Sequence, residues 1–334
     1  MKPSNDKTIL VTGATGLIGA ALVRKFASQG MRVVAAVRNC AKAEAMFGGV
    51  DGVEIVRWDI LERMGEDTCK SLGAVDWFVH AASETSSRAF VERPVDTIMS
   101  VMHGAENALD AARRLNVSSM VFLSTMEVYG SPERDNVTER DYGYLDPLAV
   151  RSCYPEAKRL AENLCVSYAS QYAVPVKIAR LTQTFGEGVA YNDGRVFADF
   201  ARAIIERRPI VLKTEGTTAR CYCYLGDAVD AIETILAKGE NAQAYTVANE
   251  DTFCTIREMA EMLVAAHPEA NSSVVFDFGD AAARGFAPPF RMKLDCSRLR
   301  ALGWTPKVSL IEMFDKMIDD MKVANNGICN NSSL

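Results

Sequence analysis

The chain has 334 residues, 49% of them hydrophobic and 24% charged, with a formal net charge of −6. Such a composition is typical of a globular protein with a large core, and the negative charge argues against a nucleic-acid partner. No apolar run reaches the roughly 20 residues that span a bilayer. The start of the chain has no signal-peptide pattern, so we expect a cytoplasmic protein without a membrane partner. The nine cysteines lack metal-ligand spacing, which predicts free thiols and no metal site.

The N-terminal segment has the pattern of a dinucleotide site. An apolar run predicts a strand, which leads into a glycine-rich turn and then a helical pattern. Glycines let the backbone approach a pyrophosphate, whose charge is met by the free N–H groups and the dipole at the helix start. The residues assigned to this turn are Gly13, Thr15, Gly16, Leu17, Ile18 and Gly19.

Strands and helices alternate through the first half of the chain, as a doubly wound parallel sheet requires. The predicted strands are Thr8 to Thr12, Arg32 to Val37, Val53 to Arg57, Trp77 to His80, Ser119 to Ser124 and Val176 to Leu181. We therefore predict an α/β fold with a Rossmann domain over residues 1–181. Residues 182–325 are predicted to form mainly a smaller C-terminal lobe with returning segments, and residues 326–334 an unstructured tail.

The residue after the second strand bears on the form of the dinucleotide. An acidic side chain there favours NAD, whereas an arginine accommodates the extra phosphate of NADP. Arg38 stands at this point and favours NADP, or a relaxed choice; the alternative is a solvated side chain or one over the adenine ring. His80, Ala81 and Ala82 end another strand at the same crevice, either for close approach to the nicotinamide half or for packing.

Tyr154 and Lys158 open a long amphipathic segment and share one face of the predicted helix. An ammonium beside a phenol can lower the pKa of the phenol and make it a base for a hydroxyl proton. The strand that ends at Ser124 is followed by Thr125 and Glu127, which supply a hydroxyl and a carboxylate at the same crevice. These groups predict hydroxyl oxidation.

With these motifs the chain resembles the extended short-chain dehydrogenase/reductase family, in its NAD-dependent nucleotide-sugar epimerase/dehydratase group. Residues 124–130, 151–159 and 192–196 resemble UDP-glucuronate decarboxylases most. The resemblance implies oxidation of a sugar at carbon 4 by bound NAD(P), with NAD if the cofactor recycles itself. Tyr154 would take the proton, Lys158 would hold the phenolate, and Thr125 would hydrogen-bond the same oxygen.

The resemblance also assigns residues to ligands. Asp59, Ile60 and Ser124 join the cofactor site together with Tyr154 and Lys158, although Asp59 could equally cap a helix. Arg220 and Arg291 would hold the diphosphate. Arg180 is expected to be structural. The full set of expected substrate contacts is Ser83, Gln183, Asn192, Arg195, Arg220 and Arg291.

Glu127 and Met126 bear on the reaction. The resemblance implies that a carboxylate at residue 127 acts near carbons 5 and 6 in dehydratases and decarboxylases; the alternative is a solvated group or one paired with an arginine. Met126 departs from both groups, because a thioether cannot donate the proton that an Asp supplies in 4,6-dehydratases. Met126 therefore weakens both the 4,6-dehydratase and the decarboxylase assignments. Decarboxylation or dehydration leads because of Glu127, and a 4-epimerase or an NADPH-dependent 4-ketoreductase stays open.

A non-catalytic dinucleotide sensor is the alternative from another class, although Thr125, Tyr154 and Lys158 argue against it. The family habit implies a homodimer that pairs through a four-helix bundle. The candidate segments are 94–115 and 154–172, whose apolar stripes could also pack within one subunit.

Overall fold

The computed structural model describes residues 6–278 and 290–331. The strands in chain order are β1 (Thr8–Thr12), β2 (Arg32–Val37), β3 (Val53–Arg57), β4 (Trp77–His80), β5 (Ser119–Thr125), β6 (Asn136–Val137), β7 (Val176–Leu181), β8 (Gln183–Phe185), β9 (Ile210–Leu212), β10 (Ala219–Tyr224), β11 (Ala244–Val247), β12 (Asn249–Thr255), β13 (Val274–Phe276) and β14 (Arg291–Leu294). The helices are α1 (Leu17–Ser28), α2 (Cys40–Phe47), α3 (Glu66–Leu72), α4 (Ser87–Glu92), α5 (Pro94–Arg114), α6 (Cys153–Tyr172), α7 (Val196–Ile205), α8 (Leu225–Lys238), α9 (Ile256–Ala266), α10 (Ser297–Ala301) and α11 (Leu310–Asn331).

A seven-stranded sheet with strand order β11-β7-β5-β4-β1-β2-β3 forms the centre of the first domain. All of its neighbouring strands run parallel. Alternate residues of β1 enter two cores: Ile9 and Val11 pack in the layer with α1 and α8, and Leu10 packs in the layer with α5 and α6. The predicted Rossmann fold is confirmed. The strand order reverses between β1 and β4, where a ligand crevice is expected.

Two later segments, β11 and α8, return to the large sheet of the first domain. Strand β11 pairs with β7 at one edge of the large sheet. Helix α8, which lies between β10 and β11 in the chain, packs on a face of that sheet. Neither segment follows the local strand–helix alternation of residues 1–181. Their places are set by pairing and burial over long sequence distances.

The smaller lobe is built on strands β12-β10-β14-β6, with β8 also paired to β10 and a separate pair β13-β9. Helices α7, α9 and α11 cover a third core. Helix α11 continues to Asn331, so residues 326–331 are helical where we expected an unstructured tail. Buried residues of α11 at helical spacing, including Phe314, Met317 and Met321, anchor the helix, and its backbone hydrogen bonds continue past them. Residues 332–334 lie outside the described residues.

Within the described part of the chain, no helix is long and apolar enough to cross a membrane. Residues 6–278 and 290–331 also contain no group of three His, Cys, Asp or Glu side chains placed to hold a metal ion.

Candidate active site

The glycine turn between β1 and α1 is tightly packed against a neighbouring loop. Gly13 has a φ of +66°, and Gly16 N donates a 2.9 Å hydrogen bond to Gly13 O. A Cβ at Gly19 would lie 2.1 Å from Gly13 O, and a Cβ at Gly13 would lie 2.7 Å from Ala82 N. Helix α1 begins after Gly16 with no side-chain cap, so its first N–H groups stay available to an anion. The turn therefore fits a dinucleotide pyrophosphate.

The other predicted cofactor residues surround this turn at the carboxyl ends of neighbouring strands. Arg38 is exposed directly after β2. Asp59 accepts a 3.1 Å hydrogen bond from Leu61 N within a turn, and α3 begins only at Glu66, so Asp59 does not cap a helix. This hydrogen bond leaves its second oxygen for a ligand. Thr15, Leu17, Ile18 and Ile60 are half-buried. These positions agree with a nucleotide lying across the end of the sheet.

The His80 side chain is not at the crevice surface. It is 2% exposed, its Nδ1 lies 2.9 Å from Thr12 Oγ1, and its ring stacks on Phe122. Burial and the nearby charge of Lys158 lower the pKa of His80 to about 3, so the imidazole is neutral. The backbone after His80, at Ala81 and Ala82, packs against Gly13 of the glycine turn.

The hydroxyl of Ser124 is likewise turned inward. Ser124 is 5% exposed and donates a 2.6 Å hydrogen bond to Glu162 Oε1. Glu162 also accepts hydrogen bonds from Arg180, which is 1% exposed and also donates to Glu139 O. This network confirms that Arg180 is structural, and it leaves Ser124 with its backbone as the part free to meet a cofactor.

Tyr154 and Lys158 lie one turn apart in α6, and both are buried. Lys158 Nζ donates a 2.9 Å hydrogen bond to Leu123 O and lies 5.9 Å from the centroid of the Tyr154 ring. The predicted juxtaposition is thus present, but the predicted effect on the phenol is not. Burial and the charge of Glu127 raise the pKa of Tyr154, while the Lys158 ammonium donates its hydrogen bond to Leu123 O.

Thr125 lies beside this tyrosine at the end of β5. Thr125 forms a side-chain hydrogen bond with Tyr154, which acts to lower the pKa of the phenol, and Thr125 Oγ1 accepts a 3.2 Å hydrogen bond from Glu127 N. The end of one strand and the first turn of α6 therefore bring together a hydroxyl and a phenol. These are the two groups that the sequence assigned to one oxygen of the substrate.

Glu127 is paired with an arginine that the sequence analysis did not assign to the site. Arg151 Nη2 lies 3.0 Å from Glu127 Oε2, and both side chains are partly exposed. The guanidinium also lies 4.7 Å from the centroid of Phe90, whose ring stacks on Tyr154. The position of Arg151 three residues before Tyr154 could have indicated a place in the site. Its ion pair with Glu127 could not be predicted, because the two residues are 24 positions apart in the sequence.

Met126 faces away from these polar groups. It is 4% exposed, and Thr182 Oγ1 lies 3.3 Å from its Sδ. Its thioether packs in the core, so the methionine that departs from the related enzymes at this position serves packing.

Arg220 and Gln183 lie on neighbouring strands of the smaller lobe, where β8 pairs with β10. The guanidinium of Arg220 lies 5.0 Å from the Phe290 ring, and its buried Nε has no hydrogen-bond partner among the described residues. A buried donor left unsatisfied costs about 1–3 kcal/mol, so this group fits an anionic ligand.

The remaining predicted substrate residues have partners of their own. Arg195 forms an ion pair of 2.6 Å with Asp193 at the start of α7, and Arg291 lies 3.8 Å from Asp135. Ser83 Oγ donates a 3.4 Å hydrogen bond to Glu84 O, and Asn192 is exposed. The described residues do not join these four side chains into one cluster with Arg220.

Comparison with known proteins agrees with this geometry. The profile of the NAD dependent epimerase/dehydratase family matches residues 9–249. A UDP-glucuronic acid decarboxylase of Arabidopsis thaliana is 30% identical, over 96% of this chain and 90% of the relative. An epimerase from Methanothermobacter thermautotrophicus shares the fold with a TM-score of 0.83 at 20% identity, covering 99% of this chain and 97% of the other. A UDP-glucuronic acid 4-epimerase from Bacillus cereus, solved with NAD, has a TM-score of 0.77 at 20% identity, covering 95% and 99%. The chain therefore belongs to the NAD dependent epimerase/dehydratase family.

Proposed function

We propose that this protein oxidises the sugar of a nucleotide diphosphate sugar at carbon 4 and then acts at carbon 5 or 6, with UDP-glucuronate decarboxylation as the reaction. The observation that carries the proposal is that Thr125 meets the Tyr154 hydroxyl and Lys158 lies beside the Tyr154 ring, at the same carboxyl edge of the parallel sheet as the glycine turn. The relative named UDP-glucuronic acid decarboxylase, aligned over 96% of the chain, supports the choice of substrate.

The chemistry of the first step follows from the side chains. A nicotinamide dinucleotide, when bound, would accept the hydride from carbon 4 and, after the carboxylate has left, would return it there, so that the ketone becomes the hydroxyl of the product. Tyr154 takes the proton from the carbon-4 hydroxyl, and Thr125 donates a hydrogen bond to the same oxygen. Burial lowers the pKa of Lys158 to about 8, and the ammonium anchored on Leu123 O supplies positive charge beside the phenolate that forms.

The second step depends on the ketone at carbon 4. A carboxylate on carbon 5 is then positioned as in a β-keto acid, so it leaves as carbon dioxide and its bonding electrons pass into an enolate. The enolate then takes a proton on carbon 5, and we assign the relay of that proton from water to Glu127, whose charge acts on Tyr154. Met126, buried in the core, offers no acid to a departing hydroxyl, which disfavours 4,6-dehydration.

The substrate diphosphate is assigned to Arg220, whose buried Nε lacks a partner within the described residues. Gln183, on the adjacent strand, is assigned beside it. The contacts proposed for Ser83, Asn192, Arg195 and Arg291 stay predictions. NAD is the cofactor that the family name supports, and the NADP preference expected from Arg38 stays a prediction, as does a cytoplasmic location.

A homodimer is part of this proposal. Helices α5 and α6 pack against each other and expose Val95, Ile98, Met99 and Leu160. A second copy bringing the same two helices would form a four-helix layer over this apolar face. Leu160→Glu should convert a dimer to a monomer in size-exclusion chromatography with light scattering. A wild-type chain that elutes as a monomer would contradict this part.

The reaction is tested by incubating the purified protein with UDP-glucuronate. Carbon dioxide and a UDP-pentose are expected by NMR, with NAD released in near-stoichiometric amount when the protein is denatured. UDP-glucose, which has no carboxylate to lose, is the control substrate. Tyr154→Phe should lower the rate by about 10²- to 10⁴-fold while the dinucleotide stays bound. Unchanged UDP-glucuronate at full dinucleotide occupancy would instead support a sensor.

A further inference from the structure

We propose that Arg151 is a positioning residue for the Tyr154 base: it holds the Glu127 carboxylate in an ion pair and supports, through Phe90, the plane of the phenol. The inference rests on the proposed function, in which Tyr154 takes the substrate proton. It assigns a role to two residues, Arg151 and Phe90, that the reaction does not itself require.

Arg151 contacts both oxygens of the Glu127 carboxylate and also the Phe90 ring. Arg151 Nη2 lies 3.0 Å from one oxygen of Glu127 and 3.2 Å from the other. The same guanidinium lies 4.7 Å from the centroid of the Phe90 ring. An arginine can do both at once, because its planar fork binds a carboxylate through its edge and an aromatic ring through its face.

Phe90 carries the contact from Arg151 to the base. Its ring lies 4.3 Å from the Tyr154 ring between centroids, with the planes 10° apart, and it is 1% exposed. Cys153 Sγ donates a 3.2 Å hydrogen bond to Phe90 O, which ties α4 to the residue before Tyr154. Arg151, Phe90 and Tyr154 therefore form one stack.

The charged groups around the phenol come from several elements. Glu127 raises the pKa of Tyr154 in addition to burial, whereas Arg151 lowers it. Lys158 lies 5.9 Å from the ring centroid, His80 is neutral behind Lys158, and burial raises the pKa of the Cys153 thiol. Arg151 is thus the group that offsets Glu127, and its removal leaves that carboxylate unbalanced.

The first test is the pH profile of dinucleotide reduction in a single turnover with UDP-glucuronate. Arg151→Gln should move the profile about one pH unit upward, because the carboxylate then disfavours the phenolate. Arg151→Lys should recover part of the shift. In the double variant Glu127→Gln/Arg151→Gln the shift should vanish. Arg88→Gln, which removes an exposed arginine of α4 paired with Glu92, is the control and should match wild type.

A second readout does not depend on turnover. Fluorotyrosine ionises at lower pH than tyrosine, so the full chain labelled with it can be titrated by fluorine NMR with NAD bound, and Tyr154→Phe identifies the signal. The midpoint should rise in Arg151→Gln and return in the double variant.

The two readouts separate the inference from the proposed function. Wild-type turnover with an unmoved midpoint and profile in Arg151→Gln would overturn the inference alone. A moved midpoint in a protein that never reduces NAD with UDP-glucuronate would overturn the proposed function alone. A shift that persists in the double variant would show that Arg151 does not act through Glu127, and it would also overturn the inference.

Discussion

Arg180 and Glu162 form a buried ion pair between β7 and α6, with Arg180 Nη2 2.6 Å from Glu162 Oε2. The pair joins three elements, because Glu162 lies on α6, Arg180 on β7, and the Ser124 hydroxyl that also binds Glu162 lies on β5. Strand β5 carries Thr125 at its end, and α6 carries Tyr154 and Lys158. The network therefore fixes the strand end against the helix that supplies the base.

Loss of one partner should be costly. Arg180→Leu leaves the Glu162 carboxylate buried without its cation, and we expect the free energy of unfolding to fall by about 3–5 kcal/mol. Urea unfolding followed by circular dichroism measures this. Arg257→Gln, which breaks the exposed pair with Glu261, is the matched control and should leave the midpoint unchanged. Equal effects of the two variants would contradict the importance of the buried pair.

His80 should make stability depend on pH. Its pKa is about 3 in the folded chain and its ordinary value is 6.5, so the unfolded chain binds a proton that the folded chain rejects. The contribution of His80 to the free energy of unfolding is therefore fully present above its ordinary pKa. It falls by about 1.4 kcal/mol per pH unit as the pH drops from there towards the pKa in the folded chain.

His80→Asn should remove this dependence and keep an acceptor or donor for Thr12. Urea midpoints of the wild type and the variant, compared as the pH is lowered, should converge. His103→Gln alters an exposed histidine of α5 and should follow the wild-type curve. If the slopes of wild type and His80→Asn were equal, His80 would not be the group responsible.

Gly19→Ala should damage the dinucleotide turn. The new Cβ would lie 2.1 Å from Gly13 O, a backbone atom that cannot move without displacing the turn. Overpacking of this kind costs about 1–3 kcal/mol, and we expect loss of NAD binding by calorimetry. Gly49→Ala adds a Cβ with nothing within 4 Å and is the control. Wild-type NAD affinity in Gly19→Ala would place the pyrophosphate elsewhere.

Substitution of Arg38 tests whether the protein prefers NADP or NAD. If it meets the extra phosphate of NADP, Arg38→Ala should weaken NADP binding by about 10-fold or more and leave NAD affinity unchanged, since hydrogen bonds to charged groups contribute about 1.5–3 kcal/mol. Arg57→Ala, at the exposed end of β3, is the control. Equal losses for both dinucleotides would place Arg38 over the adenine ring instead.

The dinucleotide turn and the catalytic helix could be predicted because their determinants are local. Gly13, Gly16 and Gly19 specify a turn within a few residues, and the helical period alone puts Tyr154 and Lys158 on one face. Strands β1 to β4 and β7 begin and end where the apolar runs do. Strands β1 and β4 are buried along their whole length and are near-continuous apolar runs, so short segments were enough to define them.

Only the tertiary structure decided what these groups touch. The Glu127 partner Arg151, the burial of His80 and the inward turn of Ser124 depend on residues far away in the chain. The Tyr154 pKa is an example: helical spacing predicted a lowered value, whereas burial and the Glu127 carboxylate raise it. Sequence spacing determines which side chains share an element, but the dielectric and charge around each one are set by packing between elements.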